Sequence, residues 1–360
     1  MQADVAGVQN ALMESGLLGT VRLLSAESIT FITTHRKYRM RIHKRLTLCF
    51  VLLTASIFAG DAKIQTILLW PETPPGAKEG DAEQALTAVT AIQQATYEVP
   101  QGNRRNIRVP AIDVTLPAEG QGSGVAMVIF CGGAYGAVCI RSEGIPMQQF
   151  LNDHGIAVFM VSYRCSPFNH PIPLWDAQRA LRIVRSRAKE FGVDANKIGV
   201  MGFSAGGHEA STLSVHYDEP FGYEPIDAID EVSARPDFSC LIYPVISMRK
   251  ELTHAGSRRN LLGANPSAAL VAKLSNDEQV NPQTPPAFLA HGTADNAVKP
   301  ANSKRYHDAC KKSGVPTKLV LVEGGIHGPA ILNGKPSIRK TKDGYADLMI
   351  EWINDLPHHE

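Results

Sequence analysis

Lys197-Ile198-Gly199-Val200-Met201-Gly202-Phe203-Ser204-Ala205-Gly206-Gly207-His208 joins a short apolar run to a Gly-x-Ser-x-Gly turn and a string of small residues. The run 198–203 reads as a strand, and 205–215 can continue as a helix. A strand turning this sharply into a helix projects the side chain at its apex, and the glycines flanking Ser204 let backbones approach closely. Five such residues alone are a weak signal, because glycine and serine are common in turns. The strand-turn-helix setting is what makes Ser204 a candidate nucleophile.

On both sides of this turn the pattern is regular. Apolar runs at 125–130, 156–163, 198–203, 238–243, 287–291 and 317–322 are candidate strands, and 145–154, 175–191, 204–215 and 301–313 carry helical periodicity. Alternation of this kind predicts an α/β fold with a mainly parallel, doubly wound sheet and helices on both faces. The irregular pieces 216–236 and 248–286 read as insertions, where substrate-binding loops are usually carried. Upstream, 61–119 is Pro-rich, then Ala-rich, then basic, and reads as an irregular lead-in with strands at 96–99 and 112–116. The Ala-rich part, 82–95, fits a helix as well, and Arg104, Arg105 and Arg108 fit a solvated loop.

The first 60 residues have a different character. After Met40 come Arg41, Ile42, His43, Lys44 and Arg45, then the apolar stretch 46–59, closing on Ala59-Gly60. A basic head, an apolar middle and small residues at the end predict a signal peptide over 40–60, cleaved near Ala59. The apolar stretch is too short for a membrane-spanning helix, which needs about 20 residues. The alternative for this segment is an anchoring amphipathic helix. Residues 1–39 then read as an upstream extension with Met40 as the true start, and 61–360 as a single catalytic domain exported to the periplasm or medium, without stable membrane insertion after cleavage.

Composition narrows the function classes. The chain is 44% hydrophobic and 20% charged, as in ordinary globular proteins, with a formal charge of +1. Without residues 1–60, which hold seven Lys/Arg and three Asp/Glu, 29 basic and 32 acidic side chains remain, a net of −3. That balance gives no electrostatic case for a nucleic-acid partner. Beyond Cys49 the cysteines are Cys131, Cys139, Cys165, Cys240 and Cys310, an odd number without zinc spacing. They read as buried thiols, and the spacing selects no disulfide pair.

A serine hydroxyl becomes a useful nucleophile when an imidazole takes its proton and a carboxylate holds that imidazole's tautomer. On sheets of this type the three follow the order Ser, Asp/Glu, His, each in a loop after a strand. His291-Gly292-Thr293-Ala294-Asp295 follows one apolar run, and Glu323-Gly324-Gly325-Ile326-His327-Gly328 follows the next. Asp295 and His327 are therefore the expected partners of Ser204. Alone, each could be a turn former or loop residue; it is their joint order that selects them. His291 at a strand end reads as structural, while Glu323 and Asp237 abut strands and are weaker acids for the role. Donors for an oxyanion are expected from the N–H groups of Gly133 or Ala134, in Phe130-Cys131-Gly132-Gly133-Ala134-Tyr135-Gly136, and from Ala205.

Together, Gly132-Gly133-Ala134-Tyr135, Glu143-Gly144, Tyr163-Arg164, Pro173-Leu174-x-Asp176-x-Gln178-Arg179-Ala180-Leu181, Gly202-Phe203-Ser204-Ala205-Gly206-Gly207-His208 and Gly324-Gly325-Ile326-His327-Gly328 resemble bacterial acetylxylan-esterase-like α/β-hydrolases. These are exported carbohydrate esterases related to acetyl esterases and prolyl-oligopeptidase-like enzymes, and the likeness spans about 67–356. It implies an α/β-hydrolase fold, Ser204 as nucleophile, Asp295 as orienting acid and His327 as general base. It also implies acetylated polysaccharide as substrate and no metal or cofactor. Cys131 and Ala134 stand where the family usually has a proline and a third glycine. Tyr135, Trp175 and His208 are candidates for lining the sugar side, and Glu143 is a further candidate residue.

The expected activity is removal of O-acetyl groups from polysaccharide, xylan above all, through an acyl-enzyme. Rival readings are a feruloyl or other aryl esterase, a prolyl-oligopeptidase-like peptidase and a hydrolase-fold glycan-binding protein without catalysis. Too few residues precede the core strands to supply the propeller domain of the peptidases. Xylanase activity is not expected, since glycoside hydrolysis needs paired carboxylates.

Overall fold

The computed structural model describes residues 65–78, 80, 87, 102–220, 222–328 and 345–357, together with three backbone strands between residues 22 and 41. The chain divides into two compact units, Met1–Ala62 and Lys63–Glu360. In the first, β1 (Arg22–Ser25), β2 (Ser28–Thr33) and β3 (Arg36–Arg41) pair antiparallel in that order. Apart from Met40 and Arg41 in β3, the expected leader 40–60 lies outside the described residues. So do the expected strand 96–99 and, Thr87 excepted, the Ala-rich stretch 82–95.

The second unit is built on eight strands: β4 (Gln65–Leu68), β5 (Ala111–Thr115), β6 (Ala126–Phe130), β7 (Ala157–Ser162), β8 (Ile198–Phe203), β9 (Phe238–Ile242), β10 (Ala287–Gly292) and β11 (Thr317–Val322). Their order is β11-β10-β9-β8-β6-β7-β5-β4. From β7 through β11 all pairings are parallel, whereas β5 pairs antiparallel with both β7 and β4. Every residue of β6, β7, β8, β9 and β10 is buried, while β11 at the edge is half-buried. Central strands of a parallel sheet are covered on both faces, which is why they are written as unbroken apolar runs.

The helices are α1 (Ile145–Asp153), α2 (Ile172–Ser186), α3 (Ala205–Val215), α4 (Ala255–Leu262), α5 (Ala268–Lys273), α6 (Ala301–Lys312) and α7 (Tyr345–Asn354). Helix α3 is buried at every position. It therefore has no polar face, and its hydroxyls turn back on its own carbonyls: Thr212 Oγ1 donates to His208 O at 2.7 Å and Ser214 Oγ to Ala210 O at 2.8 Å. Its first turn passes so close to β6 that a Cβ on Gly206 would lie 2.0 Å from the Phe130 carbonyl oxygen. The motif's second glycine is thus a packing requirement of this crossing.

Several parts depart from the sequence reading, among them Arg104, which is buried and paired with Asp113 at 2.6 Å instead of lying in a solvated loop. Residues 248–286 are not wholly irregular, since they contain α4 and α5. Helix α7 carried no expectation, and α2 runs three residues earlier than 175 and ends five before 191. The lead-in contains β4, a strand of only four residues and too short to show a period. The segment after β4 is held by buried polar groups. Trp70 Nε1 donates to Asp176 Oδ1 at 2.9 Å, and the Arg164 guanidinium donates to the same carboxylate, Nη2 at 2.7 Å and Nε at 2.9 Å. Arg164 Nη1 also reaches Pro75 O at 2.6 Å, and Arg179 Nε reaches Leu69 O at 2.9 Å.

Candidate active site

Ser204 sits at the β8–α3 crossing with φ 53° and ψ −117°, a left-handed conformation rare for a residue with a side chain. The turn is held by Ser204 N–H donating to Ile242 O at 3.1 Å and Val245 N–H donating to Ser204 O at 2.9 Å. The serine is 8% exposed, enough to meet a ligand while keeping water scarce around it.

The loops after β10 and β11 bring the other two residues to it. A Cβ on Gly292 would lie 2.2 Å from Gly325 O, so the two loops touch backbone to backbone. Gly324 N–H donates to Thr293 Oγ1 at 2.8 Å and Ala294 N–H to Gly325 O at 2.9 Å. On this frame His327 Nδ1 lies 2.6 Å from Asp295 Oδ2, and His327 Nε2 lies 3.0 Å from Ser204 Oγ. The carboxylate can only accept, so Nδ1 carries the proton and Nε2 is free to receive the serine's. Asp295 Oδ1 accepts from Ala297 and Val298 N–H at 2.9 and 2.8 Å. Burial alone would raise the Asp295 carboxyl. Hydrogen bonds from His291, His327 and Val298 N–H outweigh it and hold the group well below the usual carboxylate range.

His291 is more than the strand-end residue the sequence suggests. It is fully buried, with Nδ1 2.7 Å from Ser303 Oγ and Nε2 2.9 Å from Val298 O and 3.3 Å from Asp295 Oδ2. It braces the acid on the same oxygen, Oδ2, that His327 contacts.

The glycine-rich loop lies against the serine, since a Cβ on Gly132 would be 2.9 Å from Ser204 Cβ. Gly133, Ala134 and Tyr135 all have positive φ, at 129°, 56° and 56°. Ala134 therefore adopts what a glycine would adopt more cheaply, at a cost of about 1–2 kcal/mol. The strain is contained by neighbours: Asn260 Nδ2 of α4 donates to Ala134 O at 2.8 Å and Ser166 N–H to Tyr135 O at 2.7 Å. Among the described residues, the N–H groups of Gly133, Ala134 and Ala205 have no protein acceptor. Ala205 is the first residue of α3, where a helix leaves its donors unpaired.

Tyr135 and His208 do not line a sugar site. Both are fully buried, Tyr135 Oη lying 2.8 Å from His208 Nδ1 and 2.8 Å from Glu209 Oε2, and His208 Nε2 lying 2.8 Å from Leu274 O. Every polar atom they would offer a sugar is spent inside the protein, because α3 is buried all round. Nor does the structure bring Trp175 to the triad; it packs edge-on against Tyr223 at 5.4 Å and lies beside Gly76 and Gly222.

Two residues beside the site gave little sequence signal. His254 caps α4, its Nδ1 accepting from Ser257 N–H at 3.2 Å. Burial and then the nearby His327 lower its pKa, against the pull of Asp295. Glu143 lies under the glycine-rich loop, where Oε2 accepts from Gly132 N–H at 2.5 Å and Oε1 from Tyr243 OH at 3.2 Å. The Tyr243 ring in turn meets the His327 ring edge-on at 4.9 Å. Its only sequence signal was the Glu143-Gly144 pair. Burial pushes Glu143 up to about 7 against the lowering effects of Gly132 N–H, Tyr243 OH and His327. A carboxyl raised from an unfolded value near 4.5 stabilises most when protonated, and that advantage is lost as pH rises to about 7. Relative to Glu143→Gln, the wild type should thus lose about 3 kcal/mol of stability between pH 4 and pH 8, read by urea unfolding of both proteins.

The five cysteines beyond the leader are free thiols, all buried except half-buried Cys139.

Residues 112–310 match the family model described as BD-FAE. The chain is 34% identical over 239 residues to the acetylxylan esterase of Xylanibacter ruminicola, covering 65% of this chain and 46% of that protein. It is 35% identical over 211 residues to endo-1,4-beta-xylanase B of Butyrivibrio fibrisolvens, covering 58% and 33%. The chain thus spans a third to about half of these relatives' lengths. Among solved structures, the acetyl ester-xyloside bifunctional hydrolase from Caldicellulosiruptor lactoaceticus superposes with a TM-score of 0.62 at 38% identity, covering 68% of this chain and 88% of that one. Native esterase 2 of Thermogutta terrifontis gives 0.53 at 26%, covering 69% and 86%.

Proposed function

The chain belongs to the BD-FAE family of α/β-hydrolases, and from that premise we propose that it is an exported serine carboxylesterase that removes O-acetyl groups from polysaccharide, xylan being the favoured case. The observation that carries the chemistry is the continuous line from Asp295 Oδ2 through His327 to Ser204 Oγ, with contacts of 2.6 and 3.0 Å, beside three unpaired N–H donors. The relatives named for acetylxylan and acetyl ester-xyloside hydrolysis support the substrate. The basic head and apolar run of 40–59 support export.

In this reading Ser204 Oγ attacks the acetyl carbonyl as its proton passes to His327 Nε2. The oxyanion settles on the N–H groups of Gly133 or Ala134 and of Ala205, which are fixed before reaction and cost no reorganisation. Asp295 stabilises the imidazolium so formed. Collapse of the tetrahedral adduct breaks the bond to the sugar oxygen, which leaves with the proton from His327. Water then enters, loses a proton to His327 and attacks the acetyl-enzyme, releasing acetate and restoring Ser204.

The test is acetate release from acetylated xylan by the purified protein, with methyl ferulate, a proline-containing peptide amide and an aryl xyloside in parallel. Acetate release with no cleavage of the other three is expected. Cleavage of the ferulate or peptide without acetate release would transfer the triad to another substrate. Xyloside cleavage by a Ser204→Ala variant would require a second, carboxylate-based site. Glycan binding with no turnover of any substrate would overturn the enzyme reading.

A further inference from the structure

Tyr135, the residue that closes the strained part of the glycine-rich loop, is tied to α3 by two contacts that do not involve the triad, and a third ties α3 onward to Leu274. Glu209 Oε2, Tyr135 Oη, His208 Nδ1, His208 Nε2 and Leu274 O follow one another, with 2.8 Å at each of the three gaps. A peptide carbonyl can only accept, so His208 Nε2 must carry a proton. Two gaps remain, Glu209 to Tyr135 and Tyr135 to His208, and each needs a proton of its own. The phenol supplies one. Thr212 Oγ1 does not supply the other, because its hydrogen is committed to His208 O at 2.7 Å.

The second proton is on Glu209 or on His208 Nδ1. Placing it on His208 would make an imidazolium and a carboxylate, two full charges in a region where Tyr135 and His208 are 0% and Glu209 is 1% exposed. One oxygen of the carboxyl, Glu209 Oε1, also has no hydrogen-bond partner among the described residues. An ionised group in that position would hold an unsolvated negative oxygen, whereas the carbonyl oxygen of a neutral acid is far cheaper to leave alone. We propose that Glu209 is held as a neutral carboxylic acid that donates to Tyr135, and that this chain, running Glu209 to Tyr135 to His208 to Leu274, positions the oxyanion loop.

The surroundings agree. Burial first, then Asp176, push Glu209 up to about 8, against the opposing effect of Tyr135 OH. The ionisable groups facing it are Tyr135, Asp176, Tyr163 and Cys165, of which Asp176 is engaged by Arg164. Burial, with His170 and His216, lowers His208 to about 4, so it stays neutral and accepts at Nδ1. Loss of the Glu209 proton leaves Tyr135 with one hydrogen for two acceptors. One gap must then open, and the loop carrying Gly133 and Ala134 moves with it.

The positioning role rests on the esterase reading; the protonation does not. The infrared difference between wild type and Glu209→Gln at pH 6 is expected to show the band of a protonated carboxyl. Carboxylate bands in its place would overturn the proposal whether or not the protein turns over an ester. In kinetics, Glu209→Gln should stay within about threefold of wild type at pH 7, since an amide N–H replaces the acid O–H. Wild-type kcat should fall about tenfold from pH 7 to pH 9 with KM little changed, and the variant should lack that fall. An identical alkaline limb in both proteins, or a Glu209→Gln protein that does not fold, would overturn the proposal, because a neutral acid and an amide are interchangeable here. Wild-type inactivity on every ester would instead sink the esterase reading and leave the infrared result standing.

Discussion

Ser204→Ala is expected to lower turnover of an acetyl ester by about 10⁴-fold or more while leaving stability within about 0.5 kcal/mol. The two halves of this expectation have separate causes. Without Oγ there is no atom for His327 Nε2 to deprotonate, and the residual rate comes from water attacking an ester held against the Gly133, Ala134 and Ala205 donors. The fold hardly notices, because Ser204 makes no side-chain capping bond to α3 and the turn is held by backbone bonds to Ile242 and Val245. An alanine meets the same positive φ as the serine, so strain is unchanged. Kinetics with p-nitrophenyl acetate and a urea titration read both halves. A variant that retains more than a hundredth of wild-type turnover would mean the nucleophile lies elsewhere.

Asp295→Asn should cost about 10³–10⁴ in kcat, and here stability falls as well. Oδ1 accepts two backbone N–H groups, so the amide oxygen must turn toward Ala297 and Val298. Its NH₂ then faces His327 Nδ1, 2.6 Å away in the wild type, and His291 Nε2, 3.3 Å away. His327 is driven to the tautomer with its proton on Nε2, which cannot accept from Ser204. His291, whose Nε2 proton is directed at Val298 O and the carboxylate, meets a donor instead of an acceptor. The wild-type carboxyl is depressed on folding, so it stabilises the protein above its unfolded pKa and that contribution is lost as pH falls through the acid range. In the variant this acid-side slope should vanish. Steady-state kinetics paired with unfolding at pH 2 and pH 6, either side of the unfolded value of 3.8, would show both effects, and unchanged kcat would exclude Asp295 as the orienting acid.

The sheet and the line-up of Ser204, Asp295 and His327 were legible for the same reason. Central parallel strands buried on both faces must be apolar throughout, and the loops after β8, β10 and β11 must be small and glycine-flanked to touch one another. Both demands leave marks at adjacent positions, as at Gly202-x-Ser204-x-Gly206 and Gly324-Gly325-Ile326-His327. Glu143 left only the Glu143-Gly144 pair, and His254 and Glu209 left no such marks. None of them belongs to a recognisable run, so its residue type becomes meaningful only once the fold sets Glu143 under Gly132, or Glu209 against Tyr135, 74 positions away. Tyr135 and His208 erred the other way. An aromatic and a histidine beside a candidate site suggest sugar contacts, but the depth at which α3 is buried spends both on each other. Strand β4 escaped notice because four residues cannot display a period.

The anchoring of the segment after β4 bears on where this protein can be cut. The stretch that matches the family model begins at residue 112 and ends at 310. A recombinant fragment or fusion module with those ends would leave out Trp70, Leu69 and Pro75, stripping partners from Asp176, Arg179 and Arg164 in the interior. Each buried charge robbed of a partner is a loss of kcal/mol scale. At the other end the fragment would keep Ser204 and Asp295 but discard β11, His327 and α7. Boundaries that respect the molecule run from before Gln65 to beyond Asn354, so the segment that likeness recognises is a core of the foldable piece and is smaller than it.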